Sequence, residues 1–161
     1  CLRLQQPFGV CMILEGREVG SPASHAMSGT LAHITECDME QLGLINLVTR
    51  GGQRFRVLRT EVNRQGLILG EVTLMDEEPA LDLPAQYAAC ARILQAVVRE
   101  HGATVFHEPH RFADAAWVGH RLSELLPLPL AIRQSLLELR DPLARLAQLR
   151  GYLEQGGVPL D

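Results

Sequence analysis

The apolar residues change period about halfway along the chain, and this change limits the fold more than any single motif does. Up to about residue 76 they fall in short runs separated by turn residues; from Pro79 onward they recur at helical spacing. Two periods in two consecutive blocks point to an α+β protein with its strands first and its helices last, not to alternating βα units. The predicted division is a β-rich part over 1–78 and a helical part over 79–161, joined by a short acidic, proline-bearing stretch around Asp76 to Leu83.

In the first block, Phe8 to Leu14 (FGVCMIL) reads as a buried strand, and Glu15 to Ser28 as a long loop. Thr30 to Thr35, Leu44 to Thr49, Gln53 to Val62 and Leu67 to Leu74 are the next four predicted strands, with turns expected at Gly51-Gly52 and at Asn63 to Gly66. Five strands joined by tight turns predict an antiparallel sheet that curls or closes. In the second block, Leu83, Tyr87, Ala91, Leu94 and Val98 share one helical stripe, which Pro84 opens and Gly102 ends. Asp114 is the expected N-cap of a second helix running through Trp117, Arg121 and Leu125 to Pro127. Pro129 opens a third (LAIRQSLLEL). Asp141-Pro142 starts a fourth, lined by Leu143, Leu146, Leu149 and Leu153 and closed at Gly156-Gly157. Four helices of this length predict a small bundle.

Composition excludes several chemistries. All fifteen cationic side chains are arginine; there is no lysine. These residues therefore cannot form a P-loop, a Ser-Lys hydrolase or a Schiff-base enzyme, each of which needs a lysine. The net charge of −4 argues against general affinity for polyanions. Cys1, Cys11, Cys37 and Cys90 are scattered, with no CxxC pair, and read as reduced thiols of a cytosolic protein. No apolar run approaches the length of a membrane span, and no charged-then-apolar leader opens the chain. Because the chain begins at Cys1 and not at a methionine, residues upstream are expected to have been removed or to lie outside it.

In this order of elements, several segments together resemble a known family: PFGVCMI (7–13), EGREVG (15–20), HAMSGTLAHI (25–34), GGQRFRVL (51–58) with GL at 66–67, and WVGHRLSELLPLPLAIRQSLLELRDPLARLAQL (117–149). The chain resembles the N-terminal, substrate-recognition domain of the Lon ATP-dependent proteases, and in particular the bacterial stand-alone proteins that consist of little else. The resemblance implies a PUA-like antiparallel β pseudobarrel followed by a bundle of about four helices. It also implies that the first strand and helix of the family domain, usually some tens of residues earlier, are missing here. An incomplete barrel exposes a sheet edge, which suits pairing with another copy as a homo-oligomer. The ATPase and Ser-Lys peptidase modules of Lon proteases do not fit in this length. The expected function is thus non-enzymatic recognition of polypeptide substrates, or of a protease or chaperone partner, in protein quality control. No cofactor, metal or membrane is expected. The alternative class is a small-ligand or RNA-binding module, which rests on fold analogy alone.

Each candidate site has a plainer reading beside it. Arg50, Arg54, Arg56, Arg59 and Arg64 crowd the stretch GGQRFRVLRTEVNRQGLILGEV and its margin. Strand alternation puts Arg54 and Arg56 on the side of Leu58, with Phe55 and Val57 facing inward. Such arginines serve either as solvated partners of carboxylates such as Glu61 or Glu71, or as a surface for acidic or extended peptides. Arg54, Arg56 and Arg59 are the candidate partner-binding residues. Base stacking would need exposed aromatics, and only inward-facing Phe55 is near. HEPH (107–110), with His101 and His120, has a metal-like composition, but His107 and His110 flank a proline in a loop, which no helical face aligns. Cys37 beside Asp38, and Ser28 in AMSGT, lack a nucleophile signature. Cys11 and Cys90 read as small core residues. Gly29, Gly51-Gly52 and Gly66 read as turn residues and not as a phosphate cradle, and Trp117 as a core anchor between bundle and sheet.

Overall fold

The computed structural model describes residues 6–16, 23–41, 44–102, 106 and 108–157. Arg17 to Gly20 of the EGREVG stretch, His107 and Cys1 lie outside them. The order is four strands, β1 (Phe8–Glu15), β2 (Ser24–Gln41), β3 (Leu44–Val62) and β4 (Ile68–Leu74), then four helices, α1 (Ala88–His101), α2 (Ala115–Leu125), α3 (Leu130–Glu138) and α4 (Pro142–Gln155). The protein is thus α+β, with an antiparallel sheet followed by helices. Two compact units divide it, Cys1–Glu77 and Glu78–Asp161.

The sheet is a meander of order β1-β2-β3-β4. Two expectations are corrected here. First, β2 begins at Ser24, inside the segment read as a loop, and absorbs Thr30 to Thr35. Second, Gly51-Gly52 makes no turn: Leu44 to Thr49 and Gln53 to Val62 are one strand, so four strands stand among the described residues where five were expected. A tight hairpin turn needs positive φ, which neither glycine has. The pair instead sits in a β-bulge, where the register steps from Thr30↔Arg54 to Ala32↔Gly51. A Cβ on Gly52 would lie 2.5 Å from Nε2 of His33, so the glycine serves a close approach of β2. The Asn63 to Gly66 turn forms as expected: Oδ1 of Asn63 accepts from the backbone N–H groups of Gln65 and Leu67, and Gly66 takes φ of 80°.

The small core of this unit holds Ala26, Ala32, Phe55, Val57 and Met75. Gly29, read as a turn residue, lies mid-strand in β2 opposite Phe55. A Cβ there would come within 2.7 Å of the Phe55 ring tip and of Cys11 Sγ, and one on Gly9 within 2.9 Å of the same ring. The ring therefore rests across the bare backbone of two neighbouring strands, which lets one aromatic side chain pin three strands together.

The helical unit follows the spacing read from the sequence. Tyr87, Ala91 and Leu94 are buried, with Leu83 and Val98 packed at the margin; Leu146, Leu149 and Leu153 face them from α4. The first helix starts later than expected, at Ala88. Pro84, with ψ of 144°, holds the chain extended before a 3-10 turn at Ala85–Tyr87. Asp114 and Asp141 are N-caps: Oδ1 of Asp114 accepts from the N–H groups of Ala116 and Trp117, and Oδ1 of Asp141 from that of Leu143, with Pro142 at the first helical position. Trp117 packs edge-on against Phe106 and Phe112, at centroid distances of 5.9 and 5.2 Å.

Candidate functional site

In β3, Phe55 and Val57 are buried and Arg56 and Leu58 exposed, the alternation expected of a strand with one covered face. Arg54 is half-buried and lies opposite Thr30, while Arg56 lies opposite Ser28 on β2 and Thr73 on β4. Leu58 is the extra residue of a bulge, since the register steps from Val57↔Val72 to Arg59↔Glu71. The bulge brings Arg59 and Glu71 directly opposite each other. Their side chains form an ion pair at the surface, where such pairs contribute about 0–1 kcal/mol. Arg50 and Arg64 are exposed near the two ends of the arginine-rich stretch. The fold therefore distributes the five arginines along one long strand and the turn after it.

Sequence reasoning missed how much apolar surface the sheet leaves open. Ile45, Leu47 and Val48 on β3, Leu67 before β4, and Leu69 and Leu74 on β4 all keep about two fifths or more of their surface exposed. Phe8 to Leu14, expected as a buried strand, is not one: Val10, Ile13 and Leu14 of β1 are 50%, 39% and 56% exposed, because an apolar run carries no record of whether anything covers it. Exposed apolar side chains thus recur along β1, β3 and β4.

The other candidates are spread over both units. Cys37 is exposed, opposite Leu47, and Ser28 is buried in β2. Burial raises the thiol pKa of Cys11 and, despite the opposing charge of Arg150, that of Cys90. Nε2 of His110 lies 3.0 Å from the Phe106 carbonyl, and its ring stacks obliquely on Phe112 and Trp117. His101 closes α1 and is exposed. Trp117 makes its ring contacts within the helical unit.

One ionic cluster had no signature in the sequence. Arg145, on α4, is fully buried and donates from Nη1 and Nη2 to the two carboxylate oxygens of Glu78 at 2.8 and 2.6 Å. Its Nε donates to the Leu136 carbonyl at 3.0 Å, and Nη2 also reaches the Leu139 carbonyl. Nε2 of His120 stands 3.5 Å from the same carboxylate. Gly119 makes room for this arginine, because a Cβ there would lie 3.2 Å from Arg145 Cδ. Burial pushes the Glu78 carboxyl upward, but hydrogen bonds and charge from His120 and Arg145 outweigh it and hold the group at about 2. A carboxylate held ionised by a bidentate guanidinium fork is a poor proton carrier at neutral pH. The cluster ties the start of the helical unit to α4 and to the carbonyls that end α3.

The comparisons with known proteins agree with this architecture. Residues 1–155 match the family model of the ATP-dependent protease La (LON) substrate-binding domain. The chain belongs to that family. It is similar to a Lon N-terminal domain protein from Xanthomonas campestris, whose crystal structure superimposes with a TM-score of 0.76 at 36% identity over 94% of this chain and 79% of that one. The N-terminal domain of Mycobacterium avium complex Lon protease shares the fold, with a TM-score of 0.65 at 22% identity over 92% of this chain and 77% of the other. A search of curated protein sequences returns no match. No helix among the described residues is long and apolar enough to cross a membrane.

Proposed function

We propose that this chain is a non-enzymatic recognition module for polypeptides in the cytoplasm, acting as an adaptor in protein quality control and leaving ATP hydrolysis and proteolysis to other modules. The observation that carries the reading is the open apolar surface of the sheet, in a chain of a substrate-binding family. The sheet is taken as a PUA-like pseudobarrel with Arg54, Arg56 and Arg59 beside the apolar positions. Extended segments would engage it through backbone hydrogen bonds at a strand edge and through apolar side chains, giving affinity that tolerates many sequences. The arginines would favour acidic residues flanking the bound segment.

The test compares a reduced, carboxymethylated protein with a random RNA pool as ligands across a salt series. Binding of the unfolded protein that persists as salt rises is expected, and it should fall for segments with acidic flanks when Arg54, Arg56 and Arg59 are changed to glutamate. Tight RNA binding that collapses with salt, together with no binding of the unfolded protein, would overturn the proposal in favour of a nucleic-acid module.

A further inference from the structure

The ionic cluster of the helical unit includes a histidine, the side chain whose charge ordinarily changes near neutral pH. His120, on α2, is partly buried, and its Nε2 stands 3.5 Å from Oε1 of Glu78, the oxygen that also takes Nη2 of Arg145 at 2.6 Å. A separation of 3.5 Å is at the outer limit of a hydrogen bond and beyond the roughly 2.7–2.9 Å of a charge-assisted one. A carboxylate oxygen carries two lone pairs, so Oε1 can accept from Arg145 and His120 together.

Whether a charge on His120 stabilises the fold depends on what surrounds it. Glu78 attracts such a charge and Arg145 repels it. The repulsion is blunted, because Arg145 also donates to the carbonyls of Leu136 and Leu139 at the C-terminal end of α3, where the helix dipole is negative. On α2 itself, Arg121 and Glu124 pair with each other at 2.8 Å. The buried positions of α1 and α3, Cys90, Ala91, Leu94 and Leu136, bring no ionised group, since burial raises the Cys90 thiol. The His120 side chain keeps 28% of its surface exposed, so a charge there retains part of its hydration. Coupling between two sites is reciprocal: His120 is among the groups that hold Glu78 ionised, and ionised Glu78 favours the cationic imidazole in turn.

We propose that Glu78, His120 and Arg145 form a pH-sensitive clamp, in which protonation of the imidazole adds a second cation to Glu78 and strengthens the hold of α2 on the start of the helical unit. A histidine that gains a counter-ion on folding contributes its full stabilisation at low pH and loses it as pH rises through the neutral range. The clamp therefore tightens on acidification from about pH 8 to about pH 5.5. Over this window Glu78, held at about 2, and Arg145 both stay ionised, so the imidazole is the member of the three that switches. Mild acid stiffens the helical unit, and loss of the proton loosens the stretch that leads into it. The device lies wholly within that unit and is independent of what the sheet binds.

The experiment follows urea unfolding of the full chain by the fluorescence of Trp117, which lies on α2 with His120. The comparison protein is His120→Gln, which keeps a polar side chain and removes the titration; the other histidines are common to both proteins. The ratio of their folding equilibrium constants, unaltered over variant, should rise about tenfold from pH 8 to pH 5.5. That rise should disappear when both proteins also carry Glu78→Gln. On the unaltered protein, NMR of the imidazole rings, with His120 assigned by its loss in His120→Gln, should show this ring holding its proton to higher pH in the folded chain than in urea. That readout needs no Glu78 variant to fold. A ratio that is equal at the two pH values would leave His120 a packing residue and overturn the clamp. A ratio that falls on acidification, or a ring that gives up its proton more readily in the folded chain, would show that repulsion by Arg145 dominates and would overturn it as well. Persistence of the rise in the Glu78→Gln background would assign it to another partner, against the proposal.

Discussion

Replacing Glu78 by glutamine removes the only carboxylate that, among the described residues, sits on the fork of Arg145, a side chain with no exposed surface. Two estimates of the cost converge. Lowering the Glu78 carboxyl from 4.5 to about 2 corresponds to about 3 kcal/mol of stabilisation at neutral pH, at 1.36 kcal/mol per unit. Breaking a buried ion pair from one side costs roughly 3–5 kcal/mol, because the remaining charge stays buried without its counter-ion. The side chain of Glu78 is 6% exposed, so solvent screening removes little of this. The sign follows from the folded state having the lower pKa. The contribution is complete above the unfolded value near 4.5 and is lost as pH falls toward about 2. Trp117 is the only tryptophan and reports on the helical unit. Urea unfolding followed by its fluorescence should show Glu78→Gln less stable by about 3 kcal/mol at pH 7, with the difference shrinking steadily between pH 4.5 and 2.5. A loss below about 0.5 kcal/mol at pH 7, or a difference that does not change with pH, would refute the reasoning.

Two further perturbations separate large effects from small ones. Gly29→Ala places a Cβ 2.3 Å from the Val10 carbonyl oxygen and 2.7 Å from the Phe55 ring, so circular dichroism in urea should show the sheet destabilised by about 1–3 kcal/mol or more. Arg59→Ala removes only an exposed ion pair with Glu71 and should shift the same transition by less than about 1 kcal/mol, with the difference vanishing at high salt.

Local signals were legible wherever the cause of a structure is itself local. Asp114 and Asp141 cap the helices they were expected to cap, Asn63 to Gly66 forms its turn, and the leucine stripe of the last helix faces the core, because a cap, a turn and a stripe each depend on residues a few positions apart. The glycines show where such reasoning stops. Gly51, Gly52 and Gly29 suggested turns, whereas each lies within a strand, and Gly52 and Gly29 are bare because His33 or Phe55 crosses there from a neighbouring strand. Arg54 and Arg56 lie on the expected strand, alternating with buried Phe55 and Val57, but no face was read for Arg59, and its pairing with Glu71 and not Glu61 was decided by the bulge at Leu58.

By itself the sequence determined the α+β order, the helix starts at Asp114 and Asp141, and the family. Only the tertiary structure decided that Glu78 and Arg145, 67 residues apart, meet in a buried pair, and that the side chains of Ile45, Leu47 and Val48 stay open to solvent. The physical reason is common to both. Periodicity and capping are written in neighbouring residues, whereas burial belongs to whatever another segment brings alongside, and no residue carries that information alone.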